Sequence, residues 1–129
     1  MHKAKVLIVE DESLIALQLE IKLSKMGYDI CQLTASGEDA IRAAQEEQPD
    51  IILMDIRLVG AMDGIEAARQ IGQFSSIPVI FTTGYPDIKL RERAMLLNPS
   101  AFLIKPIEIQ AIEKVIRSTL NLKFENGYA

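Results

Sequence analysis

The sequence predicts a doubly wound α/β fold of the (βα)5 kind: one five-stranded parallel sheet with helices on both faces. Three observations carry this expectation. Short, wholly apolar runs recur along the chain, as strands buried on both faces require. Segments with apolar residues at helical spacing lie between them. The connections are short, and strand and helix alternating at this spacing give a parallel sheet.

The first strand is expected over residues 5–10, where Val6, Leu7, Ile8 and Val9 form a continuous apolar run. A helix should start near Ser13. Leu14, Leu17 and Ile21 repeat at helical spacing, as do Ile15, Leu19, Leu23 and Met26, and Gly27 is a stop signal. Residues 29–34 read as a second strand. Ser36 can cap a helix beginning near Gly37, with Ala40, Ala43 and Ala44 on its inner face. Residues 51–55 form an apolar strand ending on an acid, and 56–63 a loop. A helix over 64–74 uses Ile65, Ala68 and Ile71. Pro78 introduces a strand over 79–83, followed by a helix over 87–97 and a last strand over 101–105. Ile109, Ile112, Ile116 and Leu120 mark the last helix. One domain is expected over residues 1–122, with 123–129 a polar, frayed tail. Cys31 reads as a small buried hydrophobe, and Met54 and Met95 as packing residues.

At 129 residues the chain has the size of a single domain. Hydrophobic residues make up 49%, too many for a disordered chain. No apolar run approaches the ~18 residues of a membrane span, so no membrane is expected among the partners. The opening apolar run is too short for a signal peptide, and one cysteine cannot form an internal disulfide. Cytoplasmic residence is the expectation. A net charge of −4 argues against direct nucleic-acid binding through a basic surface.

The chemistry is expected where polar residues interrupt the apolar strands. Glu10 and Asp11 end the first strand, Asp55 the third, Thr83 the fourth and Lys105 the fifth. In an open α/β sheet, ligands bind outside the carboxyl ends of the strands, where the strand order reverses. In the flavodoxin-like order 2-1-3-4-5, Glu10, Asp11 and Asp55 converge on one crevice, with Thr83 and Lys105 on its rim. Three close carboxylates raise one another's pKa or recruit a cation. Hard oxygen ligands favour Mg²⁺, Mn²⁺ or Ca²⁺, and Mg²⁺ is the usual partner of carboxylates and a phosphoryl group. Metal, ammonium and hydroxyl together match the three oxygens of a phosphoryl group in transfer. Asp55, at the centre, is the best candidate for a carboxylate nucleophile.

These residues carry a family resemblance. The runs VLIVEDE, IILMDIRL, MDGIEAA, PVIFTTGY and AFLIKP, in this order and at strand ends, resemble a response-regulator receiver domain of two-component signalling, chemotaxis-regulator-like. The resemblance covers almost the whole chain. It implies that Asp55 is the phosphoacceptor. It implies that Asp11 ligates Mg²⁺, that Glu10 helps directly or through water, and that the backbone carbonyl of Arg57 completes the set. Thr83 and Lys105 would bind phosphoryl oxygens, and Phe102 would be an aromatic switch that turns inward as Thr83 moves. The Lys105–Pro106 bond is expected to be cis.

The donor would be a phosphohistidine on a histidine kinase or histidine phosphotransfer protein, with small acyl phosphates as substitutes. The output would be a change on the surface of the fourth helix, fifth strand and fifth helix. Residues such as Arg91, Met95, Glu108 and Ile112 lie on those helices, and the surface would meet a downstream target protein, an output domain or a second copy in a homodimer. The domain would catalyse only its own phosphorylation and dephosphorylation, and is not a turnover enzyme. The departures from the family pattern are Glu10 in place of the commoner Asp, a loop one residue longer after Asp55 with Val59 near a usual proline, and Gly84 after Thr83. The glycine predicts a short phosphoryl lifetime.

The alternatives are a pseudo-receiver acting as an interaction module, an aspartyl-phosphate phosphatase and a flavin carrier. The phosphatase needs a second acid two residues after its nucleophile, where this chain has Arg57. The flavin carrier needs a hydroxyl-rich loop where this chain has Glu10, Asp11 and Glu12.

Overall fold

The computed structural model describes residues 3–85 and 87–122. The expected tail over 123–129 lies outside them. Five strands and five helices alternate: β1 (Lys5–Val9), α1 (Ser13–Lys25), β2 (Asp29–Ile30), α2 (Gly37–Glu47), β3 (Ile51–Asp55), α3 (Gly64–Ile71), β4 (Val79–Thr83), α4 (Ile88–Met95), β5 (Ala101–Ile104) and α5 (Ile109–Leu120). The strands pair in parallel in the order β2-β1-β3-β4-β5, as the sequence predicts.

The apolar strands feed two cores. Val6, Ile8, Ile51, Leu53 and Ile80 face one way and pack with Leu23, Ile112 and Ile116 of α1 and α5. Leu7, Val9, Ile52, Met54 and Phe81 face the other way, onto Ala40, Ala43 and Ala44 of α2 and Ile65, Ala68 and Ile71 of α3. Strand side chains alternate between faces, so an apolar run of consecutive residues builds both cores at once.

Local signals set the helix ends. Ser36 Oγ accepts the Asp39 N–H at 3.1 Å and caps α2. Asp63 accepts the Glu66 N–H at 2.8 Å and caps α3. Gly27, at φ +98°, ends α1 in the left-handed region that glycine enters freely.

Several details depart from expectation. β2 is only two residues long. Its pairing with β1 stops after Val6 opposite Ile30 and resumes at a single bridge between Val9 and Thr34, one residue out of register. The extra residue interrupts the ladder. α3 ends at Ile71 rather than 74, and α4 starts after Asp87, which caps it through the N–H groups of Lys89 and Leu90. The Leu14, Leu17 and Ile21 stripe of α1 faces outward. Met95 is exposed on α4 and does not pack. Ile112, one of the residues that mark the last helix, is only 2% exposed, because α5 turns it onto the sheet.

α4 is lightly anchored. Ala94 is its one fully buried residue, and Leu90 is partly buried against the core. Polar contacts hold its flanks. Arg93 donates to Asp63 Oδ2 at 3.1 Å, and the Arg91 guanidinium lies 5.1 Å from the centre of the Phe102 ring.

Candidate functional site

The residues singled out in the sequence meet at the carboxyl ends of β1, β3, β4 and β5. β1 and β3 are neighbours, with Val9 opposite Met54, so Glu10 and Asp11 leave the sheet beside Asp55. One carboxylate oxygen from each of Glu10, Asp11 and Asp55 lies within 4.8 Å of the others. Glu10 and Asp55 are each 4% exposed, and Asp11 is half-buried.

Lys105 follows β5 and reaches across β4 to both buried acids. Its Nζ donates to Glu10 Oε1 at 2.8 Å and to Asp55 Oδ2 at 3.0 Å. The remaining oxygens face backbone donors. Glu12 N–H meets Glu10 Oε2 at 3.2 Å, and Arg57 N–H meets Asp55 Oδ1 at 3.3 Å.

Burial raises the Asp55 pKa to about 6 from an ordinary 3.8. The ammonium of Lys105 opposes that rise, and the nearby Glu10 carboxylate adds to it. Burial works against the charge on Lys105, yet its bonds to Glu10 and Asp55 leave its pKa above the ordinary value. The pocket therefore holds excess negative charge with a single ammonium between two acids. Three hard oxygen donors this close fit a small divalent cation.

Thr83 ends β4, fully buried. Its hydroxyl accepts the Tyr85 N–H at 3.1 Å and donates to the Tyr85 carbonyl at 3.4 Å, so both bonds go to the loop after β4. Phe102 sits on β5 opposite Phe81, partly buried against the core. The Lys105–Pro106 bond is cis, as expected.

The lengthened loop after Asp55 is pinned at both ends. Val59 forms a parallel bridge with Ser36, the residue that caps α2. At the far end, Gly64 N–H donates to the Ile56 carbonyl at 2.7 Å. A Cβ at Gly64 would stand 2.2 Å from the carbonyl oxygen of Asp55. Only glycine allows this approach, which makes Gly64 a site residue that the motif MDGIEAA contained but its apolar pattern did not reveal. Tyr85 also escaped the sequence reading. Its ring, 59% exposed, stacks on the Arg57 guanidinium, 4.0 Å from guanidinium carbon to ring centre.

Comparison with known proteins gives the same assignment. The transcriptional regulatory protein PdtaR of Mycobacterium tuberculosis is 35% identical over 105 residues, 81% of this chain and 51% of that protein. The chain spans about half the length of this and other curated relatives it matches. The crystal structure of the signal receiver domain of a modulated diguanylate cyclase from Desulfovibrio desulfuricans G20 is 38% identical. It superposes with a TM-score of 0.85, covering 92% of this chain and 94% of that one. The receiver domain of the sensor histidine kinase PA1611 from Pseudomonas aeruginosa PAO1 is 28% identical, with a TM-score of 0.81 over 92% of this chain and 98% of that one. That structure has a magnesium ion coordinated in its active-site cleft. The family model described as the response regulator receiver domain matches residues 6–117. With its fold, its acidic pocket and this match in agreement, the chain belongs to the response regulator receiver domains of two-component signalling.

Proposed function

We propose that this chain accepts a phosphoryl group on Asp55 in a Mg²⁺-dependent reaction. The donor is a phosphohistidine on a histidine kinase or histidine phosphotransfer protein. The observation that carries this reading is the convergence of Glu10, Asp11 and Asp55 within 4.8 Å, with Lys105 bonded to two of them.

Glu10, Asp11, Asp55 and the backbone carbonyl of Arg57 would hold the metal. When bound, Mg²⁺ neutralises charge and shares the phosphoryl oxygens. Burial raises the Asp55 pKa and the Lys105 ammonium opposes that rise; a divalent cation beside Asp55 would favour the ionised carboxylate. One of its oxygens attacks phosphorus, the bond from phosphorus to the imidazole nitrogen breaks, and an acyl phosphate forms. Lys105 moves its donor from Asp55 Oδ2 to a phosphoryl oxygen. Thr83 releases the Tyr85 carbonyl and donates to another. Phe102 then turns inward behind it.

The output follows from a population shift between two surfaces. Met95, Leu96 and Ile104 leave apolar area exposed at the end of α4 and on β5, which supports that face as the contact for a target protein, an output domain or a second copy. Residues 1–122 form the working unit.

Incubation with Mg²⁺ and acetyl phosphate tests the reading. The wild type takes up a base-labile label and binds beryllofluoride, and Asp55→Asn does neither. A wild type that stays unlabelled overturns the phosphoacceptor reading and leaves the pseudo-receiver.

A further inference from the structure

The loop between β3 and α3 is fastened to α2 as well as to the sheet. At its near end, Ile56 N–H donates to the Thr82 carbonyl at 3.0 Å, and the Ile56 carbonyl accepts Gly64 N–H at 2.7 Å. Midway, Val59 bridges to Ser36. Beyond the bridge, Met62 lies on Gly37, the buried first residue of α2. A Cβ on Gly37 would stand 2.8 Å from Met62 Sδ and 2.9 Å from Met62 Cγ, so the thioether fills the place of the missing side chain.

α2 is a firm anchor. Ala40, Ala43 and Ala44 seat it in the core, and Leu58 and Met62 of the loop pack against the same core. Arg57 therefore hangs between two fixed points, Ile56 and Val59. Its carbonyl is the one backbone group in the ligand set given above. A carbonyl has no rotamers of its own, so only the peptide units on either side can place it.

We propose that Gly37 and Met62 act with the Ser36–Val59 bridge as a strut that holds the Arg57 carbonyl in place for the cation, and so sets how tightly and how selectively the pocket binds Mg²⁺. This rests on the metal-dependent reading above. None of the four residues supplies a ligand, so all are positioning residues. Mg²⁺ demands near-ideal octahedral geometry, whereas Ca²⁺ accepts a looser shell. A carbonyl that drifts therefore costs Mg²⁺ more than Ca²⁺.

The test uses the full 129-residue chain without phosphoryl donor, titrated with Mg²⁺ and with Ca²⁺ by isothermal calorimetry. Gly37→Ala drives the thioether off its seat, and Met62→Ala removes it. Each should weaken Mg²⁺ binding about tenfold, the low end of what losing a ligand's supporting contact costs. Ca²⁺ binding should weaken less, so the ratio of Mg²⁺ to Ca²⁺ affinity falls. Met62→Leu keeps an apolar side chain of similar volume and should match the wild type. Ala43→Gly weakens α2 further along the helix and should leave both constants unchanged. Wild-type Mg²⁺ affinity in Gly37→Ala and Met62→Ala, equal losses for the two cations, or the same loss in Ala43→Gly each overturn the strut. If Met62→Ala does not fold, Gly37→Ala against Met62→Leu decides. Labelling by acetyl phosphate is scored separately, so its failure overturns the phosphoacceptor reading and not the strut. A wild type that binds neither cation overturns both.

Discussion

Lys105 bonds to Asp55 at 3.0 Å from the end of a strand that is not the neighbour of Asp55 in the sheet. β4 lies between them, so the contact closes the pocket across three strands. The same ammonium holds Glu10 at 2.8 Å.

Lys105→Met keeps most of the stem and removes the charge. Glu10 and Asp55 are then left buried side by side without their cation. The variant should lose on the order of 2 kcal/mol of unfolding free energy at pH 8 without metal. The loss should shrink toward pH 5, where a proton can replace the ammonium. Urea unfolding at the two pH values checks this, and an equal loss at both contradicts it.

Asp55 makes the metal-free fold pH-dependent. Its folded pKa, about 6, lies above the ordinary 3.8, so the folded state binds the proton more tightly. The contribution to stability is fully present below about pH 4 and is lost as pH rises through 6. Two units correspond to roughly 3 kcal/mol as an upper figure. Asp55→Asn should therefore be more stable than the wild type at pH 7.5, with the difference vanishing near pH 4. Unfolding curves of both proteins in chelator give the comparison.

Mg²⁺ should raise the melting temperature of the wild type, since it binds the folded carboxylate cluster and not the dispersed one. At about 100 times its dissociation constant the gain is about 2.7 kcal/mol. Asp11→Asn should weaken Mg²⁺ binding at least about tenfold, roughly 1.4 kcal/mol. A thermal-shift titration reads both, and an undiminished response in Asp11→Asn removes it from the ligand set.

Two glycines should respond oppositely to alanine. At Gly64 the new Cβ would meet the Asp55 carbonyl oxygen, a backbone atom, at 2.2 Å, and Met54 Cγ at 2.9 Å. Gly64→Ala should cost about 3 kcal/mol or more and impair the loading of Asp55. At Gly84 the methyl group has open space, so stability should change by less than about 0.5 kcal/mol. The methyl group should lengthen the phosphoryl lifetime, which in the wild type should fall at the short end for such domains. A wild-type half-life of many hours contradicts the second expectation.

The parts legible in the sequence are those that a local pattern encodes. β1, β3 and β4 show as apolar runs because both faces of each strand are buried. Glu10, Asp55, Thr83 and Lys105 show because each breaks such a run at its end, and the strand order alone brings them together. Ser36 shows because capping is decided within four residues. The parts that were not legible depend on what lies opposite. α1 carries two apolar stripes, and only packing against α5 and the sheet decides which turns inward. Met95, read as a packing residue, is exposed for the same reason. The slip in β2, the bridge from Val59 to Ser36 and the stack of Tyr85 on Arg57 join segments whose spacing along the chain carries no signal.

α4 is seated differently from the other helices. One buried alanine and one half-covered leucine give it little apolar grip. Its flank is tied to the cap of α3 by Arg93 and Asp63, both partly open to solvent. Such a pair is screened by dissolved ions, whose Debye length at physiological strength is about 8 Å. The small share of this pair in seating the helix therefore falls as ionic strength rises, while the buried hydrocarbon that holds the sheet beneath it is not screened.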